Sequence, residues 1–277
     1  MRSIASILPP LPRLKIVDVG AMWTGADQDR YANLIRSVPC EVIGFEPLTT
    51  EYQKLVAMAR PQHSYFPYFI GDGFVRTFHE CKAPFTSSLL EPDVAMAANF
   101  ELLGDYVEVV GRQKVQTTRL DDVPETSGVD LLKVDVQGGE MMVFEGARER
   151  LGSALIVDVE VEFLPLYKNQ PLFAEIDFFL RSRGFELHQL HPFSLAFKST
   201  LSEGVDAAKS RQTAWADTVY VRDAPKFEKV EPAALLKLAA MLHENYRSYD
   251  LAARALAAHD RKTGSDLHAR YASLMAF

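Results

Sequence analysis

The chain has 277 residues, 48% of them apolar, which is enough to bury one sizeable core and leave an appendage over. Its net charge of −7, with Lys and Arg scattered rather than bunched, offers no field to hold a nucleic-acid backbone, so no nucleic-acid partner is expected. No apolar run approaches the ~18 residues of a membrane span, residues 1–12 are too short and proline-broken for a signal peptide, and Cys40 and Cys81 form no CxxC pair, so the expectation is a soluble, cytoplasmic protein with no membrane partner and no metal site.

Residues 15–19 read as a short buried strand, β-branched and stopped by Gly20. Helical spacing of Tyr31, Leu34, Ile35 and Val38 follows over residues 29–38. A second buried strand, CEVIGF (40–45), ends at Glu46-Pro47, and residues 49–59 are helical with Thr49 or Thr50 as N-cap. Residues 64–70 make a third strand leading into Gly71-Asp72-Gly73. The stretch 74–110 is less regular, with an apolar helical patch at 94–103, and residues 111–120 suggest an edge hairpin or strand.

Periodic order resumes with a strand over 129–136 (VDLLKVDV) and a helix over 138–151 (GGEMMVFEGARERL). Residues 154–161 form the next strand, 172–183 an amphipathic helix closed by Gly184, and 185–190 and 215–221 the last two strands. Alternating buried strands and amphipathic helices predict an α/β fold, a mainly parallel, doubly wound sheet with an antiparallel pair at one edge. After Pro225 the composition turns rich in Ala and Leu, predicting a helical hairpin and a terminal helix. The predicted domains are therefore residues 1–225 and a helical extension, 226–277. A homodimer through those helices is one expectation for their role, and capping of a pocket is another. A single tetratricopeptide-like unit is a weaker reading, because one unit cannot bury its own face.

In open α/β sheets ligands sit beyond the carboxyl ends of the strands. The run IVDVGAMWTG (16–25) ends the first strand in a glycine-bounded turn, yet the middle place of a dinucleotide G-x-G-x-x-G fingerprint is Met22. A side chain there obstructs a pyrophosphate and costs a phosphate-free nucleoside nothing. Glu46 ends the second strand, where its two oxygens can accept both hydroxyls of a ribose. Asp72, after the third, can accept from the exocyclic amine of adenine, and Asp18 can act on the turn or on a ligand ammonium. Each also has an ordinary reading as a turn or cap residue.

VDVGAMWTG, VIGFEP, VDLLKVDVQGGEMMVFEGA and the closing WADTVYVR together resemble the FkbM family of S-adenosylmethionine-dependent class I methyltransferases, over roughly residues 14–222. The chain departs from the family's common DVGAN-x-G in lacking the Asn and in adding one residue before Gly25. The resemblance implies a seven-stranded sheet of order 3-2-1-4-5-7-6, S-adenosylmethionine as cofactor across strands 1 to 3, and a small-molecule hydroxyl acceptor above strands 4 and 5. It also implies O-methylation of a sugar or secondary metabolite. The candidate cofactor contacts are Asp18, Gly20, Ala21, Gly25, Glu46, Pro47, Asp72 and Gly73, with Ser88 (beside Ser87) on the adenine side.

Methyl transfer from a sulfonium is an in-line displacement, so alignment and water exclusion do most of the work, and a positioned base adds ~10²–10⁴ in rate. Asp135, at the end of the fourth strand, is the candidate for that base or for orienting the acceptor, and Lys133, two residues back on the same face, can pair with it or contact the substrate. Glu140 reads as a helix first-turn acid. Asp158, Glu160 and Glu162 alternate along one face of the fifth strand, an arrangement that can hold Mg²⁺ although the family does not require it. His79, His188 and His191 read as packing or surface residues, with His191 in a loop on the acceptor side, and Trp23, Phe85 and Phe193 as pocket wall or core. Competing readings are a nicotinamide-dependent oxidoreductase, disfavoured by Met22 and by the lack of a Tyr-x-x-x-Lys pair, and a non-catalytic nucleoside-binding scaffold.

Overall fold

The computed structural model describes residues 2–23, 25, 31–198 and 212–276. Its main sheet has seven strands. Five are parallel: β1 (Leu14–Val19), β2 (Cys40–Phe45), β3 (His63–Phe66), β6 (Leu131–Val134) and β7 (Ile156–Glu162). Two long antiparallel strands, β8 (Phe185–Leu195) and β9 (Gln212–Arg222), close one edge. The spatial order is β3-β2-β1-β6-β7-β9-β8, which counted over the sheet's own strands is 3-2-1-4-5-7-6. The two numbers skipped belong to a separate hairpin, β4 (Val75–Cys81) with β5 (Val109–Gln116). The edge strand expected at residues 111–120 is thus part of this hairpin and not of the main sheet.

The helices are α1 (Ala32–Ser37), α2 (Thr49–Ala57), α3 (Val94–Ala97), α4 (Leu103–Tyr106), α5 (Glu140–Glu145), α6 (Arg150–Ser153), α7 (Phe173–Ser182), α8 (Pro232–Glu244), α9 (Tyr249–Thr263) and α10 (Leu267–Met275). Residues 29 and 30 of the first expected helix lie outside the described residues. Pro67 stops β3 before Ile70, since proline has no N–H for the ladder, and Ile70 instead bridges to Thr118. The single helix expected over 138–151 is broken after α5 at Gly146. A Cβ at that glycine would lie 2.0 Å from the Gly71 carbonyl oxygen, so the segment is shaped by the close passage of the loop after β3.

Side chains alternate across the sheet, and the two faces differ. One face is apolar along its whole length: Val17, Val19, Ile43, Phe45, Leu132, Val134, Val157 and Val159 pack with Val143 and Phe144 of α5 and Ile176 and Leu180 of α7. The other is apolar only in its lower rows, where Leu14, Ile16, Val42, Leu131, Ile156, Val219 and Val221 pack against α1 and α8 to α10. Toward the carboxyl ends of the parallel strands the same face turns ionic, presenting Asp18, Lys133, Asp158 and Glu160. Because β9 runs antiparallel to β7, Asp217 and Trp215 at its start stand opposite Glu160 and Glu162.

The C-terminal helices brace the lower half. Leu235, Leu238, Met241 and Leu242 of α8 and Leu251, Ala255 and Leu256 of α9 belong to the core beneath β1 and β2. Glu244 accepts from the Ile4 amide at 2.9 Å and from the Ser37 hydroxyl at 2.9 Å, tying the N-terminal 3-10 turn Ile4–Ser6 and α1 to α8. Lys237 pairs with Asp130 at 2.8 Å. Among the described residues no helix is long and apolar enough to cross a membrane.

Candidate active site

A cavity of about 1030 Å³ opens at the carboxyl ends of β1, β2 and β6, where the ionic rows begin. Its wall includes the β1 turn (Gly20, Ala21, Met22, Trp23, Gly25), Glu46-Pro47 after β2, and Asp135 to Gln137 after β6. The turn is built by close approach. Gly20, at φ +84°, sits so near β6 that a Cβ would lie 1.9 Å from the Asp135 carbonyl oxygen, a place only glycine can take. The Gly20 and Ala21 amides both donate to the Phe45 carbonyl, at 3.1 and 3.0 Å, which joins the turn to the end of β2.

Glu46 is buried, and its Oε1 accepts from the Leu48 amide at 2.8 Å. Burial pushes its carboxyl up from 4.5 to about 7, with the nearby Glu51 and Asp18 charges adding to the rise and the Leu48 amide and Lys133 opposing it. The apo protein therefore holds a carboxylate poised to change charge near neutrality.

Asp18 is likewise buried at the end of β1. It accepts from the Tyr31 hydroxyl and, at 3.0 Å, from the Lys133 ammonium. Lys133 also donates to the Gly20 carbonyl at 3.3 Å and stands 3.8 Å from Asp135. The lysine expected to pair with Asp135 is thus shared, and its shorter contact is with Asp18. Its ammonium sits between two carboxylates because Asp18 and Lys133 are register partners on adjacent strands.

The segment after β6 is held from several sides. Glu140 is more than a first-turn acid: its Oε1 accepts from the Val136 amide at 2.9 Å and from the Gly138 amide at 3.1 Å. Burial raises its carboxyl. Ser88 lines the cavity, but its hydroxyl donates to the Gln137 carbonyl at 2.7 Å and accepts from the Leu90 amide at 2.9 Å. Its hydrogen bonds hold the loop.

Asp72 and Gly73 are not brought to this cavity. They line a separate shallow depression with Phe74, Thr117 and Arg119. Asp72 pairs there with Arg76 and accepts from the Phe74 amide at 3.2 Å. Burial works to raise the Asp72 carboxyl, but the guanidinium and the amide outweigh it and hold it below its ordinary value. The cause of the displacement is the early end of β3, which turns Tyr68, Phe69 and Ile70 into the wall and carries Asp72 past it.

His188 and His191, expected at the end of a strand, both lie within the longer β8, outside the cavity wall. His188 contacts the Ser248 hydroxyl at 2.6 Å, and His191 Nε2 the side-chain oxygen Oε1 of Gln189 at 3.3 Å. His79 is buried in β4, also outside the wall. Trp23, Phe85 and Phe193 do line the cavity, and the Arg60 guanidinium stands over the Trp23 ring, 4.9 Å from its centroid. Of the acidic row on β7, only Glu160 lines the cavity; Asp158 accepts from the Tyr246 hydroxyl at 3.2 Å, and burial, aided by the Glu140 charge, raises Glu162. Among the described residues no group of three or more His, Cys, Asp or Glu is disposed to hold a metal ion.

Four further wall residues, Gln137, Tyr31, Trp215 and Asp217, are not among the candidate site residues of the sequence, although Gln137, Trp215 and Asp217 lie within the family motifs and Tyr31 within the first helical spacing. Trp215 and Phe193 face each other across β8 and β9, with ring centroids 5.8 Å apart and planes inclined by 17°. The alternation Trp215, Asp217, Val219 could have marked one face, but only the antiparallel register with β7 assigns it to the cavity side.

A family model described as the methyltransferase FkbM domain matches residues 18–187. Among solved structures, the chain is similar to the magnesium protoporphyrin IX methyltransferase ChlM of Synechocystis PCC 6803 with bound SAM, at 12% identity, covering 76% of this chain and 71% of that one, with a TM-score of 0.36. It is also similar to an uncharacterized protein of Listeria monocytogenes serotype 4b, at 7% identity, covering 98% and 94%, with a TM-score of 0.38. A third likeness is to an antibiotic-related methyltransferase, at 13% identity, covering 79% and 92%, with a TM-score of 0.33. No curated protein matches the chain.

Proposed function

The chain belongs to the FkbM methyltransferase family, and from that premise we propose that it transfers a methyl group from S-adenosylmethionine to a hydroxyl of a small molecule, a sugar or secondary metabolite. The observation that carries this reading is that one cavity holds Glu46 at the end of β2 and Asp135 at the end of β6, with the glycine turn of β1 between them. The residues fit the methyl donor. Glu46 presents a buried carboxylate suited to a vicinal diol, and Met22 stands in the wall where a dinucleotide would need bare backbone. When bound, the cofactor supplies an electrophilic methyl on a sulfonium.

The chain's own residues do the rest. Glu46 accepts from the ribose hydroxyls, Gly20, Ala21, Gly25 and Pro47 shape the walls, and Asp18 takes the ligand ammonium. Asp135 accepts the proton of the acceptor hydroxyl, and Lys133, between Asp18 and Asp135, holds that carboxylate in place. The Trp215 and Phe193 rings, with Asp217 and Glu160 beside them, suit an acceptor that combines a flat apolar face with hydroxyl groups. Residues 226–277 act as a brace for the methyltransferase domain, 1–225, and among the described residues none of them contributes a side chain to the cavity wall.

The test is calorimetric binding and thermal shift with S-adenosylhomocysteine and with NAD(H). Stabilisation by S-adenosylhomocysteine, followed by transfer of a labelled methyl group to a sugar-rich metabolite extract, is the expected result. Stabilisation by the nicotinamide alone would overturn the reading in favour of an oxidoreductase, and stabilisation by neither would favour a scaffold.

A further inference from the structure

We propose that Gln137 is a positioning residue of the transfer site, holding Asp135 and Glu160 as one fixed pair and so setting the preference for the cationic methyl donor over its neutral product. The proposal rests on the methyl-donor reading above. The Gln137 side-chain nitrogen donates to Asp135 Oδ1 at 3.0 Å and to Glu160 Oε1 at 2.9 Å. The orientation of the amide is dictated by chemistry: ionised carboxylates only accept, so the NH₂ must face them, one N–H to each. The amide oxygen then turns to the Tyr167 hydroxyl, 3.4 Å away.

The backbone shows that this side chain is held there against a local preference. Gln137 has φ +58°, a left-handed conformation that glycine adopts freely and that an L side chain keeps only where its surroundings over-determine it. Those surroundings come from three places. Ser88 donates to the Gln137 carbonyl, Glu140 takes the amides on either side of the residue, and buried Tyr167 is anchored by its 2.9 Å bond to the Thr86 carbonyl. Gly138 follows with φ +91°, and a Cβ there would lie 2.9 Å from Gln170 Nε2. A backbone that suits glycine but carries glutamine points to a use for the side chain.

That use follows from the charges. Asp135 and Glu160 lie on neighbouring strand ends, and one amide nitrogen that donates to both holds the two carboxylates in one place against their mutual repulsion. Facing the pair are Lys133 on β6 with Asp18 and Tyr31 behind it, Asp217 on β9, Glu162 further along β7, Glu140 on α5, and Tyr167. Two carboxylates held together attract a sulfonium more than a thioether. The attraction falls once the methyl has left, which assists product release.

The experiment compares Kd for S-adenosylmethionine and S-adenosylhomocysteine by calorimetry at pH 7 in the unmutated protein, Gln137→Met and Gln137→Gly. Gln137→Met keeps the bulk and removes the donors, and Gln137→Gly suits the backbone, so misfolding cannot account for both. In each variant the preference for S-adenosylmethionine should fall by about tenfold, the scale of moving one unit charge away from a cation in a partly buried site. An unchanged ratio in folded variants overturns the proposal, as does an equal weakening of both ligands, which marks a merely structural role. If the unmutated protein binds neither ligand, the methyl-donor reading itself fails, and this proposal falls with it.

Discussion

Glu46 gives the sharpest quantitative expectation. In the free protein burial holds its carboxyl protonated up to about 7, against an ordinary 4.5, and that rise corresponds to about 3 kcal/mol of penalty on the charged form. A ribose diol donates two hydrogen bonds and selects the ionised carboxylate, so the ligand must displace the proton. Affinity for S-adenosylhomocysteine should therefore be flat above pH 8 and about tenfold weaker at pH 6, with about 0.5 proton released per ligand bound at pH 7 and about 0.9 at pH 6. Titration calorimetry in buffers of different ionisation enthalpy measures both quantities. Glu46→Gln should bind on the order of 30-fold more weakly at pH 8, through loss of charge-assisted hydrogen bonds, and lose the pH dependence. Glu140, whose carboxyl is also raised, lies outside the cavity wall, and its proton should be indifferent to the ligand. Equal affinity at pH 6 and pH 8 with no proton release would refute the assignment of Glu46 to the ribose.

Asp135→Asn should keep S-adenosylhomocysteine affinity within about twofold and lower turnover by ~10²-fold or more, measured by labelled-methyl transfer; loss of S-adenosylhomocysteine binding instead would mean that Asp135 holds the ligand itself. Glu140→Ala strands the buried Gly138 amide and the half-buried Val136 amide and should cost about 2–4 kcal/mol in denaturant unfolding, whereas Glu140→Gln keeps an oxygen for both and should be nearly neutral. Because the folded protein holds the Glu46 and Glu140 protons more tightly than the unfolded chain, their contribution to stability is complete below about 4.5 and lost as pH rises through about 7; the unfolding midpoint of Glu46→Gln should vary less between pH 5 and pH 8 than that of the unmutated protein. Asp72→Ala should leave S-adenosylhomocysteine affinity within about twofold, since Asp72 lines a different depression and pairs with Arg76; a larger loss would show that the loop after β3 reaches the ligand.

Much of the sheet was legible because buried parallel strands announce themselves as unalternating β-branched runs, as in KIVDV and VIGF, and because the family motif carries their order. The ends of elements were less so. Residues 64–70 look like one strand, but β3 ends at Phe66 before Pro67, and Asp72 lies in a separate depression. The helix written in residues 138–151 has unbroken helical spacing, yet the Gly71 carbonyl presses on Gly146 from a loop about seventy-five positions away, a contact no local pattern encodes.

By itself the sequence determined which residues stand at strand ends and which face they share, because those follow from a period of two and a stop at Gly20 or Glu46-Pro47. Asp18, Glu46, Lys133 and Asp135 are of that kind, and all reach one cavity. Only the tertiary structure decided how each polar group spends its hydrogen bonds. Lys133 is shared with Asp18, Ser88 and Glu140 are spent on the loop after β6, and Gln137 is held in a left-handed turn with its amide between two carboxylates. The reason is physical: a strand position is set by neighbours in the chain, whereas a buried hydrogen bond is set by whichever distant donor or acceptor the fold brings within about 3 Å.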